Sequence, residues 1–262
     1  MDLASFGIQQ IEVFVLVLAR TAGIFTMTPI FGTSQVPVQV RLGISLALTM
    51  VFMPLCNAST HMTLAVEVLP MMLLIAKETL IGLVIGFVVM LVFTAIQSAG
   101  DYIDLVAGFS FATMFDPVTG TQTAIASRFH YLLAGMLFFA INAHHIFLSG
   151  VADSFRLIPV GQMSLNPVVA TGAVNLFVGL FTIAIRIAAP VVAAVFMADV
   201  ALAVISRAMP QMNTLMAGLP LKLGIGLVGM LIALPVSIAL SRGAFGDIQP
   251  QTVGLLKLLI SH

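Results

Sequence analysis

The sequence predicts an all-α membrane protein of about six to eight helices. Hydrophobic residues make up 60% of the 262-residue chain, and its mean hydropathy is +1.17. Only 8% of its residues are charged, against about a quarter in soluble domains. Ten basic and ten acidic side chains cannot cover the surface of a water-soluble fold of this length, so apolar surface must face lipid, partner subunits or both. No segment alternates cleanly between polar and apolar, as the many strands of a membrane β-barrel would.

A membrane span needs about 20 largely apolar residues. Stretches that reach or approach this lie around Ile11–Met27, Leu42–Leu55, Leu64–Ile96, Phe129–Gly150, Val168–Ile205 and Leu221–Leu240. Leu64–Ile96 contains Lys77 and Glu78, and Val168–Ile205 contains Arg186, Pro190 and Asp199. Each of these two is either one long kinked helix or two shorter ones, with Pro190 removing a backbone bond and bending its helix. Breaks are expected at Pro29 to Pro37, at the polar loop Asn57 to His61, at Asp116 to Gly120 and at Leu157 to Pro167. Pro210 and Pro220 are expected to bracket a short connection, and Gly243 to Pro250 to precede a small apolar tail, Val253–Ile260. The start, Met1-Asp2-Leu3, lacks a basic n-region, so no signal cleavage is expected.

The charge is balanced, which favours neither nucleic acid nor an acidic substrate. Lysine and arginine are too thinly spread to orient the helices. There is no Trp and there are only two Tyr, so the usual interfacial aromatic belt is missing. That points to protein, as well as lipid, around the chain. The single Cys56 excludes an internal disulfide and reads as a small buried hydrophobe. His130, His144 and His145 carry no HExxH or CxxC pattern, and the adjacent pair points about 100° apart, so interfacial or satisfied histidines are expected rather than metal ligands. No G-x-S-x-G elbow occurs. The expectation is a non-enzyme without cofactor or metal.

The segment from Thr94 to Gly120 is the most informative. Thr94, Gln97, Asp101, Asp104 and Gly108 are spaced 3, 4, 3 and 4 and share one helix face. Two carboxylates there must meet water, charge or donors. The stripe is either the solvated end of a helix or the wall of an aqueous conduit or polar subunit interface. After it, Gly108, Phe109, Ser110, Phe111, Met114, Phe115, Asp116 and Pro117 form an apolar loop. Irregular backbone at membrane depth needs protein or a cavity around it, so the loop is either a yielding seal or a buried connection. Glu12, Arg20, Lys77, Glu78, Arg186 and Asp199 interrupt apolar runs. Ion pairs between helices or subunits are the favoured reading, with ion or proton relay as the other. Gly82-x-x-x-Gly86 fits close helix packing.

Gly100-Asp101-Tyr102-Ile103-Asp104-Leu105-Val106-Ala107-Gly108-Phe109-Ser110-Phe111-Ala112, followed by Asp116-Pro117, resembles the central signature of the FliR/SctT family of type III secretion export-gate subunits. Arg207 to Asn213, with Gly218 to Lys222, resembles its second signature. Arg20, Gly23, Pro29, Phe31, Val36-Pro37, Arg41 and Leu42-Gly43 also match, as do Lys77-Glu78 with Gly82 and Gly86. The resemblance spans about Ile11 to Arg242 in family order.

It implies a subunit of a gate built with FliP and FliQ, or their injectisome counterparts, and contacted by FlhB. The gate passes unfolded export substrates across the bacterial inner membrane, here within a flagellar basal body. It further implies helical hairpins, with a FliP-like portion over about 1–165 and a FliQ-like hairpin and tail over 166–262. Gly108 to Pro117 would then be the plug of the closed channel. Arg207, Pro210, Gln211, Asn213, Pro220 and Lys222 would mark the partner-facing hairpin end. A stand-alone transporter or channel, the other class, would show an internal repeat, and none is evident. An intramembrane hydrolase would need a nucleophile–base pair or metal triad, and none is evident either.

Overall fold

The structure, a computed structural model, describes residues 3–29, 36–57, 68–110, 124–163, 166–211 and 214–260. Eight helices run through the described residues: α1 (Leu3–Met27), α2 (Val38–Asn57), α3 (Val68–Ala107), α4 (Ile125–Ala140), α5 (Ala143–Leu157), α6 (Val168–Ala208), α7 (Thr214–Gly246) and α8 (Ile248–Ile260). There is no strand among them, so the all-α class and the helix count agree with expectation. Five helices are long and apolar enough to cross a membrane, or up to six spans if the bent α4–α5 pair is one.

The two long apolar stretches are each a single helix. α3 has 40 residues and α6 has 41, running through Pro190. At 1.5 Å per residue each is about 60 Å long, twice the hydrocarbon thickness of a bilayer. Three expectations need correction. Phe129–Gly150 is not one straight helix: the chain bends by 72° between α4 and α5. The break falls at Asn142, which takes the left-handed conformation (φ 58°), one that Asn visits more readily than most residues. Pro220 lies inside α7 rather than at the edge of a connection. Pro250 lies in the first turn of α8, where its missing N–H is no loss, so Gly243 to Pro250 is mostly helix rather than linker.

The contacts divide the chain into two compact units. The first comprises Met1–Leu91, Asn142–Phe177 and Gly246–His262. In it α1 packs on α2 and α8 on α5, over a core that includes Leu16, Val17, Ile24, Ile81 and Ile85, each at most 1% exposed. Gly23, Gly82 and Gly86 let α1 and α3 approach backbone to backbone. A Cβ at position 82 would overlap the Arg20 carbonyl oxygen, and one at 86 would lie 2.6 Å from that of Ile24. The spacing of Gly82 and Gly86 thus does what small-xxx-small motifs do, replacing side-chain bulk by close backbone contact. Cys56 is buried, with its thiol donating to the Phe52 carbonyl at 3.5 Å.

The second unit comprises Val92–Ile141 and Val178–Phe245. Its centre is a triangle of Phe93, Phe138 and Phe245, with ring centroids 5.3 to 5.7 Å apart and tilted or edge-on, the arrangement aromatic quadrupoles prefer. Around both cores lie exposed apolar side chains such as Met50, Met136, Leu231 and Ile232.

Candidate functional site

Arg20 on α1 and Glu78 on α3 form a wholly buried ion pair, Nε to Oε2 at 2.5 Å, with both side chains at 0% exposure. The guanidinium has further acceptors at the end of α5. One terminal nitrogen donates to the Ser154 carbonyl at 3.2 Å and the other to that of Ile158 at 3.1 Å. The group also lies 4.4 Å above the Phe155 ring. A cation at a helix C-terminus meets the negative end of the helix dipole, and the Ser154 carbonyl accepts the Ile158 N–H as well. The second Glu78 oxygen accepts the Gly161 N–H at 2.8 Å, and Gly161 (φ 83°) turns the chain there in a conformation glycine supplies readily. Each charge is therefore both paired and hydrogen-bonded, the condition for burying it. One ion pair ties α1, α3 and the α5 exit turn.

Asp199 on α6 pairs with Lys222 on α7 at 2.6 Å, partly exposed. Two of the interrupting acids, Glu78 and Asp199, thus sit in ion pairs within the chain. Glu12 and Lys77 are half-buried and Arg186 is exposed, and none of the three pairs with a described residue. Arg207, Pro210, Gln211 and Pro220 are exposed around the α6–α7 turn, while Asn213 lies outside the described residues.

The polar stripe of α3 separates into two parts. Thr94, Gln97 and Asp101 are exposed. Asp104 is 2% exposed. Its two oxygens accept the backbone N–H groups of Ala126 and Ser127, each at 2.9 Å. Ala124, the residue that would normally cap α4, makes no side-chain bond, so Asp104 supplies from another helix the anionic cap an N-terminus favours. The spacing correctly places Asp104 on the face of Thr94 and Gln97, but α4 covers that end of it. Gly100, one turn earlier, makes room: a Cβ there would overlap Ser127.

At the head of the apolar loop, Gly108 has φ 80° and breaks α3. Phe109 and Ser110 are again helical. Phe109 is 4% exposed and faces Gly226 of α7, where a Cβ would lie 3.3 Å from its ring and 2.7 Å from the Ala107 Cβ. Ser110 is exposed, and Phe111, Met114, Phe115, Asp116 and Pro117 lie outside the described residues. The loop's first phenylalanine is thus seated in a notch made by a glycine.

His130 is buried and its Nδ1 is 2.8 Å from the Ala126 carbonyl. The rings of His144 and His145 do come together, at 4.3 Å. No group of three or more potential metal ligands occurs among the described residues. Sequence reasoning missed Ser154, Ile158 and Gly161, because they contribute backbone groups that any residue carries. It also missed the Gly226 notch, where a lone glycine in an apolar helix gives no signal.

The profile of a family described as bacterial export proteins, family 1, matches residues 11–248. The flagellar biosynthetic protein FliR of Bacillus subtilis (strain 168) is 34% identical over 236 residues, covering 88% of this chain and 90% of that protein. FliR of Aquifex aeolicus (strain VF5) is 33% identical over 223 residues, 84% of each chain. The Yop proteins translocation protein T of Yersinia pestis is 31% identical over 214 residues, 80% of each. The matched residues include the Arg20–Glu78 pair, the Asp104 cap and the Gly108 joint. This chain belongs to bacterial export protein family 1.

Proposed function

We propose that the chain is a membrane-embedded subunit of a type III protein export apparatus. Within it the chain forms part of a channel wall, and the loop that follows Gly108 is the plug. The observation that carries this reading is the match to flagellar FliR proteins and to a Yop translocation protein over most of their lengths. The partners are subunits resembling FliP and FliQ, together with FlhB. The cargo is unfolded flagellar protein, and the membrane is the bacterial inner membrane.

Three features of the chain support the reading. Its wholly buried ion pair, Arg20–Glu78, holds helices together, which suits a subunit that shares a channel wall with other chains. Its exposed helix faces are broad and apolar. The joint at Gly108 and the seat of Phe109 against Gly226 give the loop a firm root.

Removing residues 109–115 from the assembled complex should raise its ion conductance in a planar bilayer while leaving the complex intact on a sizing column. An intact complex with unchanged conductance would sink the plug assignment. Deleting the whole chain should stop secretion of flagellar substrates, and continued secretion would sink the export reading.

A further inference from the structure

Arg186 is exposed on α6, with no ion pair to any described residue. Every residue in 168–185 and in 187–198 is uncharged. Arg186 therefore stands 18 residues inside the helix and 13 residues from Asp199, about 27 Å and 20 Å along the axis at 1.5 Å per residue. Its neighbours one turn away, Thr182, Ala189 and Pro190, are exposed and uncharged.

Beside this face runs a groove of about 520 Å³ within the second unit. Tyr102 and Val106 of α3 form one side, and Ile185, Ala189, Val192 and Phe196 of α6 the other. The alanines on the α6 side keep that wall low, as at sites where helix backbones approach closely. Lipid chains in the groove would supply the guanidinium with no counter-charge. Among the described acids, Glu78, Asp104, Asp153 and Asp199 hold partners within the chain, and none of these four reaches Arg186. In a gate built from several kinds of subunit, the missing carboxylate comes from a different chain, and a second copy is an outcome the test below separates.

We infer that the α6 face around Arg186 and its neighbouring groove receive a membrane helix of another subunit, carrying an aspartate or glutamate opposite Arg186. This rests on the proposed role as one subunit of a multi-subunit gate. Small side chains admit the helix, and the single cation sets its depth and register, because sliding it by one turn would strand both charges.

The test uses the full chain, tagged and co-expressed with its FliP-like and FliQ-like neighbours. A photo-crosslinking residue replaces Ala189. The expected adduct is a peptide of one of those subunits that contains an intramembrane Asp or Glu. Arg186→Lys should keep the adduct within about twofold, and Arg186→Glu should lower it about tenfold or more. Exchanging the partner's acid for Lys should then restore it in the Arg186→Glu background. Adducts to lipid alone, or to a second copy of the chain, overturn the inference. So does an adduct that is undiminished by Arg186→Glu. If the wild-type chain purifies without any partner, the gate reading falls as well; an intact complex with no effect at Arg186 removes this inference alone.

Discussion

Arg20 and Glu78 illustrate how a charge is kept inside an apolar protein. Each has its counter-ion and at least one backbone partner, and neither reaches solvent. Removing one member leaves the other buried and unpaired, which costs about 3–5 kcal/mol. Arg20→Ala should therefore lower the thermal unfolding temperature in detergent and the amount of chain in membranes. Arg20→Met with Glu78→Leu should recover much of the loss, since replacing both charges by apolar groups can be nearly neutral. If the double variant is as poor as the single one, the pair has a duty beyond stability. Asp104 is a second case at this scale. Asp104→Ala removes two hydrogen bonds from the start of α4 and should cost about 0.5–2 kcal/mol. Asp104→Asn keeps an acceptor and should cost less. Amide exchange at Ala126 and Ser127 measures this directly, and unchanged protection would count against the cap.

At the scale of elements, glycine positions decide where helices meet. Gly82 and Gly86 were legible as a packing motif because their spacing puts them on one face. Their partner on α1 was not legible, because nothing local in α3 names the carbonyls of Arg20 and Ile24. Gly82→Leu should push α1 from α3, misaligning the Arg20–Glu78 pair as well. The overpacking alone costs about 1–3 kcal/mol, so its effect should exceed that of Gly43→Leu, which meets nothing within 4 Å. Comparing the membrane levels of the two variants checks this, and equal levels would argue against a tight crossing. The break at Asn142 shows the opposite limit. A window of apolar residues can be drawn across α4 and the start of α5 despite Asn142, His144 and His145, so an apolar count does not reveal a 72° bend at a residue with positive φ.

At the scale of the molecule, the exposed apolar surface requires cover. Phe196, Met197, Leu231 and Ile232 are each at least 60% exposed. At about 25 cal/mol per Å² of apolar surface removed from water, leaving such faces in water is unfavourable. Co-purification with tagged neighbouring subunits should therefore be near stoichiometric in mild detergent, and a stable, active single chain would refute the obligate assembly.

Much of this was written in local properties. The apolar runs set the helical, membrane-embedded class, because backbone groups away from water must bond within a helix. The scarcity of charge showed that each charged residue in an apolar run needed a partner. The order of short motifs from Arg20 to Lys222 was sufficient to suggest the family. Which charge meets which partner was a matter of folding, because the contacts of Arg20 and Glu78 span separations of 58, 83 and 134 residues. The same holds for Asp104, whose spacing put it on a polar stripe and whose packing made it the cap of another helix. Helical periodicity determines which way a side chain points along its own helix. What stands there depends on a distant segment whose contribution is often a bare backbone N–H or C=O, and every residue but proline carries both.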